Sequence, residues 1–473
     1  MNINSHTKQL TLGNEVFQGG ELYMKEKKYD VIVIGGGFSG ITAARELRLL
    51  GHNVLVLEAR DRIGGRTWVD KRLDSELEMG GTYVHWHQPY VWTEITRYDL
   101  ELTTGPKAEK VYWITNNKTY SSTVPEFRQK LRGPIEKLMK ESNKNMPLPF
   151  QPLSSPDMKD LDKLTADEFL KQFNLTQEEY DIIHGWVASD FCGSPAEGAL
   201  TQIFRWWVFS QGNWDTHSAM ISSFRIKKGT KALIEAMASD ADADLKLSTV
   251  VKKVEQQNNQ VIVTTQKGKT YTGKAVIVTV PLTTLKDVEF SPPLSKEKQA
   301  SSKEGQTSKG VKVWAKLKGK LEPFDALAHG DYPLNSVHLD RYVGEDSIIV
   351  GFGADVKKLD PNNREDVEKA LKYWLPDVEV LECTGHDWVN DEFTKETWPM
   401  LKPNQLTSFQ EAWNTPENAV FLAGSTYANG WAGFIDGAIE SGIKTGRRVH
   451  HFLTGNTTLK KEFLLQNKNI IKN

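Results

Sequence analysis

The stretch YDVIVIGGGFSGITAARELRLLGHNVLVLEARDRIGGR, from Tyr29 to Arg66, decides how this chain of 473 residues folds. Its opening "YDVIVIG" is a continuous β-branched run, which suits a parallel strand buried on both faces. Gly35, Gly37 and Gly40 follow as G-x-G-x-x-G. "ITAARELRLLG" then has helical spacing, with Gly51 placed to end the helix. "NVLVLEA" is a second buried strand closing on Glu58. A glycine turn between strand and helix, followed about 20 residues later by an acid, reads as a dinucleotide fingerprint. Gly35 permits the tight turn, Gly37 lets a pyrophosphate approach the backbone, and Gly40 lets helix and strand pack closely. The helix N-terminus offers free N–H groups and partial positive charge to phosphates. Glu58 is placed to accept hydrogen bonds from ribose hydroxyls, and its charge disfavours a 2′-phosphate.

The residues that follow narrow the ligand. "ARDRIGGRT" sets Arg60, Arg62 and Arg66 around Gly64 and Gly65. Paired arginines balance a diphosphate, and paired glycines allow close backbone approach. Here the chain resembles the flavin-containing amine oxidase family, whose fingerprint is E-A-R-x-R-x-G-G-R. The resemblance implies non-covalently held FAD lying along Arg60, Gly65 and Arg66. "ELEMGGTYVHW" (76–86) resembles the family element beneath the flavin, which places Gly80, Gly81 and Thr82 at the cofactor. "NAVFLAGSTYANGWAGFIDGAIESGIKTGRRV" (418–449) resembles its final motif, which places Gly424 and Ser425 at the pyrophosphate or ribityl chain. Trp431, Gly433 and Phe434 would face the flavin, and a helix from Phe434 would aim its N-terminus there. Val251 matches a strand valine that meets the adenine. Lys228 stands where members carry a glycine, and Thr426 where they carry an acid.

The implied fold class is α/β, a discontinuous Rossmann-like FAD-binding domain joined to a mixed α+β substrate-binding domain. Segments 29–105, 225–300 and 408–452 carry the first, 106–224 and 301–407 the second, with terminal extensions at 1–28 and 453–473. Residues 106–222 are mostly helical by pattern, including "TADEFLKQF" capped by Thr165. "VKVWAKL" and "SIIVGFG" read as strands. No internal repeat is present.

Three residues are expected to carry chemistry. The resemblance implies a neutral amine held between two aromatic walls, Trp398 and Phe434, and oxidised to an imine by hydride transfer to flavin N5. The imine is hydrolysed to an aldehyde or ketone, and O2 (giving H2O2) or a protein acceptor takes the electrons. A dry apolar site favours the neutral amine. Lys312, which alternation sets on one face with Trp314, matches a lysine that holds water at N5. The family's flavin-linking cysteine would sit at Thr397, and neither Cys192 nor Cys383 is near that motif, so no thioether bond is expected. "FRWWVFSQGNW" (204–214) is either cavity lining or helix core.

Composition bounds the rest. A formal charge of −2 implies no nucleic-acid partner. No run is apolar enough for a membrane span, and the first 28 residues hold no signal-peptide core. Two cysteines cannot make a disulfide framework or a four-cysteine zinc site, which fits a reducing cytoplasm. His85 and His87 form an H-x-H pair too sparse for a metal site and are expected to pack or line a cavity. Expected partners are a small-molecule amine, O2 or a protein electron acceptor, and in a homodimer a second copy of the chain. The region after Met79 has no arginine before Trp92 to hold a carboxylate, and so looks more like bacterial monoamine and nicotine-type oxidases than amino-acid oxidases. The alternatives are a desaturase or protoporphyrinogen-type oxidase and a flavin-binding protein without redox activity.

Overall fold

The computed structural model describes residues 28–455 and, ahead of them, only the strands Glu15–Gln18 and Glu21–Met24. The readings placed on the first 28 residues and on the polar tail otherwise lie outside the described residues.

The opening motif folds as its pattern dictates. Strand Val31–Ile34 is buried at every position, and helix Phe38–Leu49 follows the glycine turn. Gly51, at φ +85°, lies just beyond the helix end, and strand Val54–Leu57 returns fully buried. Five parallel strands form one sheet in the order Asp244–Lys246, Val54–Leu57, Val31–Ile34, Ala275–Val278 and Val420–Leu422. These strands come from three distant parts of the chain. All-parallel sheets are covered on both faces, which is why their strands read as unbroken apolar runs. The long C-terminal helix Ile435–Thr454 crosses Phe38–Leu49 closely, because Gly442 and Gly446 lie directly against Ser39, Thr42, Ala43 and Glu46. A buried ion pair between Arg45 and Glu94, shared with the Tyr98 hydroxyl, ties helix Pro89–Arg97 to the same layer.

A second, seven-stranded sheet builds the other half. Its order is Val380–Gly385, Val311–Leu317, Asp346–Gly353, Ser336–Val343, Phe324–Leu327, Lys110–Thr115 and Lys118–Thr123. All its pairings are antiparallel except Phe324–Leu327 with Lys110–Thr115. Helices from the middle of the chain cover it. Val124–Asn145 starts with a capping box between Thr123 and Glu126, and Ala166–Leu170 starts with another between Thr165 and Glu168. Sheet and helices leave a cavity between them.

Candidate active site

One cavity of about 710 Å³ runs from the glycine turn to the face of the seven-stranded sheet. Gly35, Gly37, Glu58, Arg60, Gly65, Arg66, Gly80, Gly81, Thr82, Val251, Lys312, Trp398, Gly424, Ser425, Gly433 and Phe434 all line it. Gly40 does not. A Cβ at Gly40 would run into the Gly35 carbonyl, so this glycine serves the contact of helix with strand. Gly35 has φ +109°, and a side chain there would overlap the Thr279 hydroxyl. Around Gly37 the nearest atom to an added Cβ is the Gly65 Cα at 3.8 Å. Bare backbone therefore faces bare backbone across a gap, at the N-terminus of a 12-residue helix.

Glu58 closes this end. Its two oxygens accept from the Gly36 amide at 2.6 Å and the Arg60 amide at 2.8 Å. Burial pushes its carboxyl pKa up, against those hydrogen bonds and the nearby arginines. Each oxygen keeps capacity for a further donor such as a ribose hydroxyl.

The arginines hold protein groups as well as facing the cavity. Arg60 makes a two-pronged ion pair with Asp391 at 2.6 and 3.0 Å. Arg66 donates to Glu396 (2.8 Å), the Thr397 carbonyl (2.8 Å) and the Ser425 hydroxyl (3.1 Å), which joins three chain segments around one guanidinium. Arg62 instead serves the carbonyls of Ile63, Gly65 and Thr67 and lies over Trp68, away from the cavity.

Lys312 reaches the site from strand Val311–Leu317. Its Nζ donates to the Glu78 carbonyl (2.7 Å), the Gly80 carbonyl (3.0 Å) and the Thr82 hydroxyl (2.9 Å). Trp314 lies on the same face, as alternation requires, and donates to the same Glu78 carbonyl. Burial pushes the Lys312 amine down to about 8, against the pull of Glu78 and Asp340. Its three N–H bonds are all spent on the segment around Gly80 and Gly81. The resemblance implies a water on Lys312; with all three donors on protein oxygens, the structure has it position the glycine pair instead.

The far half of the cavity is aromatic. Trp398 donates its indole N–H to the Asp190 carbonyl at 2.8 Å and meets Phe352 edge-on. Phe434, the N-cap of the C-terminal helix, packs edge-on against Trp206 and Trp431. Within 204–214 both sequence readings apply: Trp206 and Trp214 line the cavity, while Phe204 and Trp207 are core. His85 and His87 pack with Trp86, Phe224 and Met220 and take no part in the cavity. Asp190, Asp325, His338 and Phe352 also line the site without having drawn notice in the sequence. Cross-strand register brings Asp325, His338 and Phe352 there, and helix Gln177–Phe191 brings Asp190, neither of which a local spacing reveals.

One expectation needs correction. Cys192, distant in sequence from Thr397, lies beside it in space, where both side chains line the cavity and Thr397 also meets Ser308. Burial pushes the Cys192 thiol up to about 12, so it stays protonated and a poor nucleophile at neutral pH. Acid precipitation of the yellow protein should therefore leave all the flavin in the supernatant, as absorbance of both fractions would show; flavin in the pellet would expose a covalent bond.

The glycine cradle, the buried acid and the arginine-lined channel are those of a dinucleotide flavoprotein with an aromatic substrate chamber. Residues 38–450 match the family model for flavin containing amine oxidoreductase, and the chain belongs to that family. It is 40% identical over 435 residues to pseudooxynicotine dehydrogenase of a Pseudomonas species, covering 90% of this chain and 87% of that one. It is 35% identical to nicotine dehydrogenase of Pseudomonas putida, with 90% and 89% covered. Putrescine oxidase bound to putrescine superposes with a TM-score of 0.79 at 21% identity, covering 89% of this chain and 99% of that one. Cyclohexylamine oxidase from Brevibacterium oxydans gives 0.76 at 20%, covering 90% and 100%. The chain is thus a FAD-dependent enzyme acting on amines, and the open cradle at Gly37 with Glu58 behind it fits that cofactor.

Proposed function

We propose that this chain oxidises a small amine, of the kind handled by its nicotine-related relatives, to an imine that water hydrolyses to an aldehyde or ketone. The observation that carries the reading is the continuity of one cavity from the cradle at Gly37 to the aromatic chamber of Trp398, Phe434, Trp206 and Phe352. FAD, when bound, supplies the two-electron acceptor for the C–H bond beside the amine nitrogen. The chain's own residues position and desolvate. Trp398 and Phe434 present rigid walls that orient the amine. Apolar surroundings lower the amine pKa and favour the neutral form, whose lone pair the oxidation needs. Lys312 fixes the Gly80–Gly81 backbone.

The segments 29–105, 225–300 and 408–452 form the cofactor unit in this proposal, and 106–224 with 301–407 the substrate unit. Two relatives are named dehydrogenases, so a protein electron acceptor is the first to test, before O2. A homodimer and a cytoplasmic setting complete the proposal. The cysteine usage supports the latter, and no helix among the described residues is long and apolar enough to cross a membrane.

Anaerobic flavin reduction with pseudooxynicotine, nicotine, putrescine, cyclohexylamine and tyramine tests the reading. Bleaching by at least one is expected, and a flavin that none of them reduces overturns it. Replacing Trp398 by Ala should slow reduction about tenfold to hundredfold, or about 1.4–2.8 kcal/mol of transition-state stabilisation, with flavin content preserved. Equal loss of flavin and rate would assign Trp398 to packing.

A further inference from the structure

The floor of the substrate chamber is one face of the seven-stranded sheet, and its register fixes what that face displays. Lys312 pairs with Phe352, Phe352 with Ser336, and Ser336 with Leu327. In the adjacent row Trp314 pairs with Val350, Val350 with His338, and His338 with Asp325. Side chains two apart along a strand share a face, so Lys312 and Asp325 stand on the same floor. Three strand spacings across and two residues along the strand separate them, roughly 16 Å. Lys312 holds the cofactor end, and Asp325 lies at the opposite end.

Asp325 is chemically out of place there. Its carboxyl lies deep in the molecule, where burial raises its pKa. Yet it is not covered by protein atoms, because it opens on the cavity. Among the described residues it has no hydrogen bond and no ion pair. The two basic groups whose charge it feels are otherwise engaged. His338 shares its Nε2 with the Tyr83 hydroxyl at 3.0 Å. Arg128 is paired with Asp215 and lies over Trp214. The other carboxylate on the aromatic wall, Asp190, differs: it is covered, and it meets His217 at 3.4 Å. A carboxyl that opens on the substrate cavity without a protein partner is placed to take a cationic or proton-donating group brought by the ligand.

We propose that Asp325 is a second recognition point, which binds a basic nitrogen at the far end of the substrate while the reacting amine sits between Trp398 and Phe434. This rests on the amine-oxidising reading and names its substrate class: amines with a second basic nitrogen, either an aliphatic ammonium or a basic heteroaromatic ring. Either kind shares one proton with the carboxyl, as an ion pair or as a charge-assisted hydrogen bond. The span of the floor sets the reach, so substrates with both nitrogens on an extended chain gain most.

The test uses the holoenzyme, Asp325→Asn and Asp325→Glu, against three sets of ligands: α,ω-diamines, pyridyl-alkylamines, and alkyl- or phenyl-alkylamines of matched length. Both KM and the equilibrium perturbation of the flavin spectrum under anaerobic conditions are read. In Asp325→Asn, KM and Kd for the best doubly basic ligand should rise about tenfold to hundredfold, or about 1.4–2.8 kcal/mol. The matched monoamine should change less than about twofold, with kcat for both held, and Asp325→Glu should recover most of the loss. The diamine and pyridyl arms show which nitrogen is preferred. An equal change for mono- and dibasic ligands, or none, overturns the subsite while the amine-oxidising reading stands. If no amine of any set perturbs or reduces the flavin in the unaltered enzyme, that reading falls and the subsite with it.

Discussion

Gly37→Val should yield a folded, colourless protein. The backbone at Gly37 has φ −78° and ψ 178°, extended geometry that any residue adopts. An added Cβ meets nothing closer than the Gly65 Cα at 3.8 Å. The chain therefore tolerates the side chain, at a cost of about 1 kcal/mol or less for a poorer helix N-cap. The isopropyl group then occupies the gap through which a pyrophosphate approaches the helix N-terminus. FAD affinity should fall at least about a hundredfold, or about 2.8 kcal/mol. Gly40→Ala is the contrasting control. Its methyl group would strike the Gly35 carbonyl, which is backbone and cannot step aside. That variant should lose melting temperature and flavin together. Flavin content after gel filtration and a melting curve of each apoprotein separate the outcomes. A yellow Gly37→Val protein would show that the cofactor does not lie against this turn.

The nucleotide half of the site was legible because its parts are local. Strand, glycine turn, helix and acid lie within Tyr29–Glu58, and each glycine has a steric reason visible at its own position. The Lys228 departure left its helix intact, since Gly229, at φ +74°, begins Gly229–Ala241. The substrate half was legible only where a motif anchored a residue, as with Trp398, Phe434 and Lys312. Asp325, His338, Ser336 and Phe352 come together through the order of three strands, and a sequence carries no local mark of that order. Cys192 shows the same limit. It ends helix Gln177–Phe191 in a left-handed conformation, and that turn, distant from 397 in sequence, brings the thiol beside Thr397.

Lys312→Met removes the group that ties the cofactor half to the substrate half, and its expected effect is the largest on turnover. Lys312 sits on the substrate sheet, yet all three of its N–H bonds go to Glu78, Gly80 and Thr82. Methionine matches the length but offers no donor, so two carbonyls and a hydroxyl lose their partner. Loss of a hydrogen bond to a charged donor costs about 1.5–3 kcal/mol, and here the loosened segment is the glycine pair facing the cofactor. Turnover or reoxidation should fall about a hundredfold, or about 2.7 kcal/mol, with flavin still bound, because the cradle at Gly35, Gly37 and Glu58 is untouched. Proportional loss of flavin would reduce Lys312 to a tether, and unchanged kinetics would remove it from the site. The proton on this amine supplies an independent readout in the apoprotein. Its folded pKa of about 8 lies below the unfolded value of 10.5, so the fold disfavours the charged form. That penalty is fully present below about pH 8 and is relieved as pH climbs toward 10.5. Urea midpoints of the unaltered apoprotein should therefore rise across that window relative to Lys312→Met, in which the titrating group is gone. Parallel pH profiles for the two proteins would mean that Lys312 is solvated and does not occupy the buried position from which it could hold Gly80 and Gly81 in place.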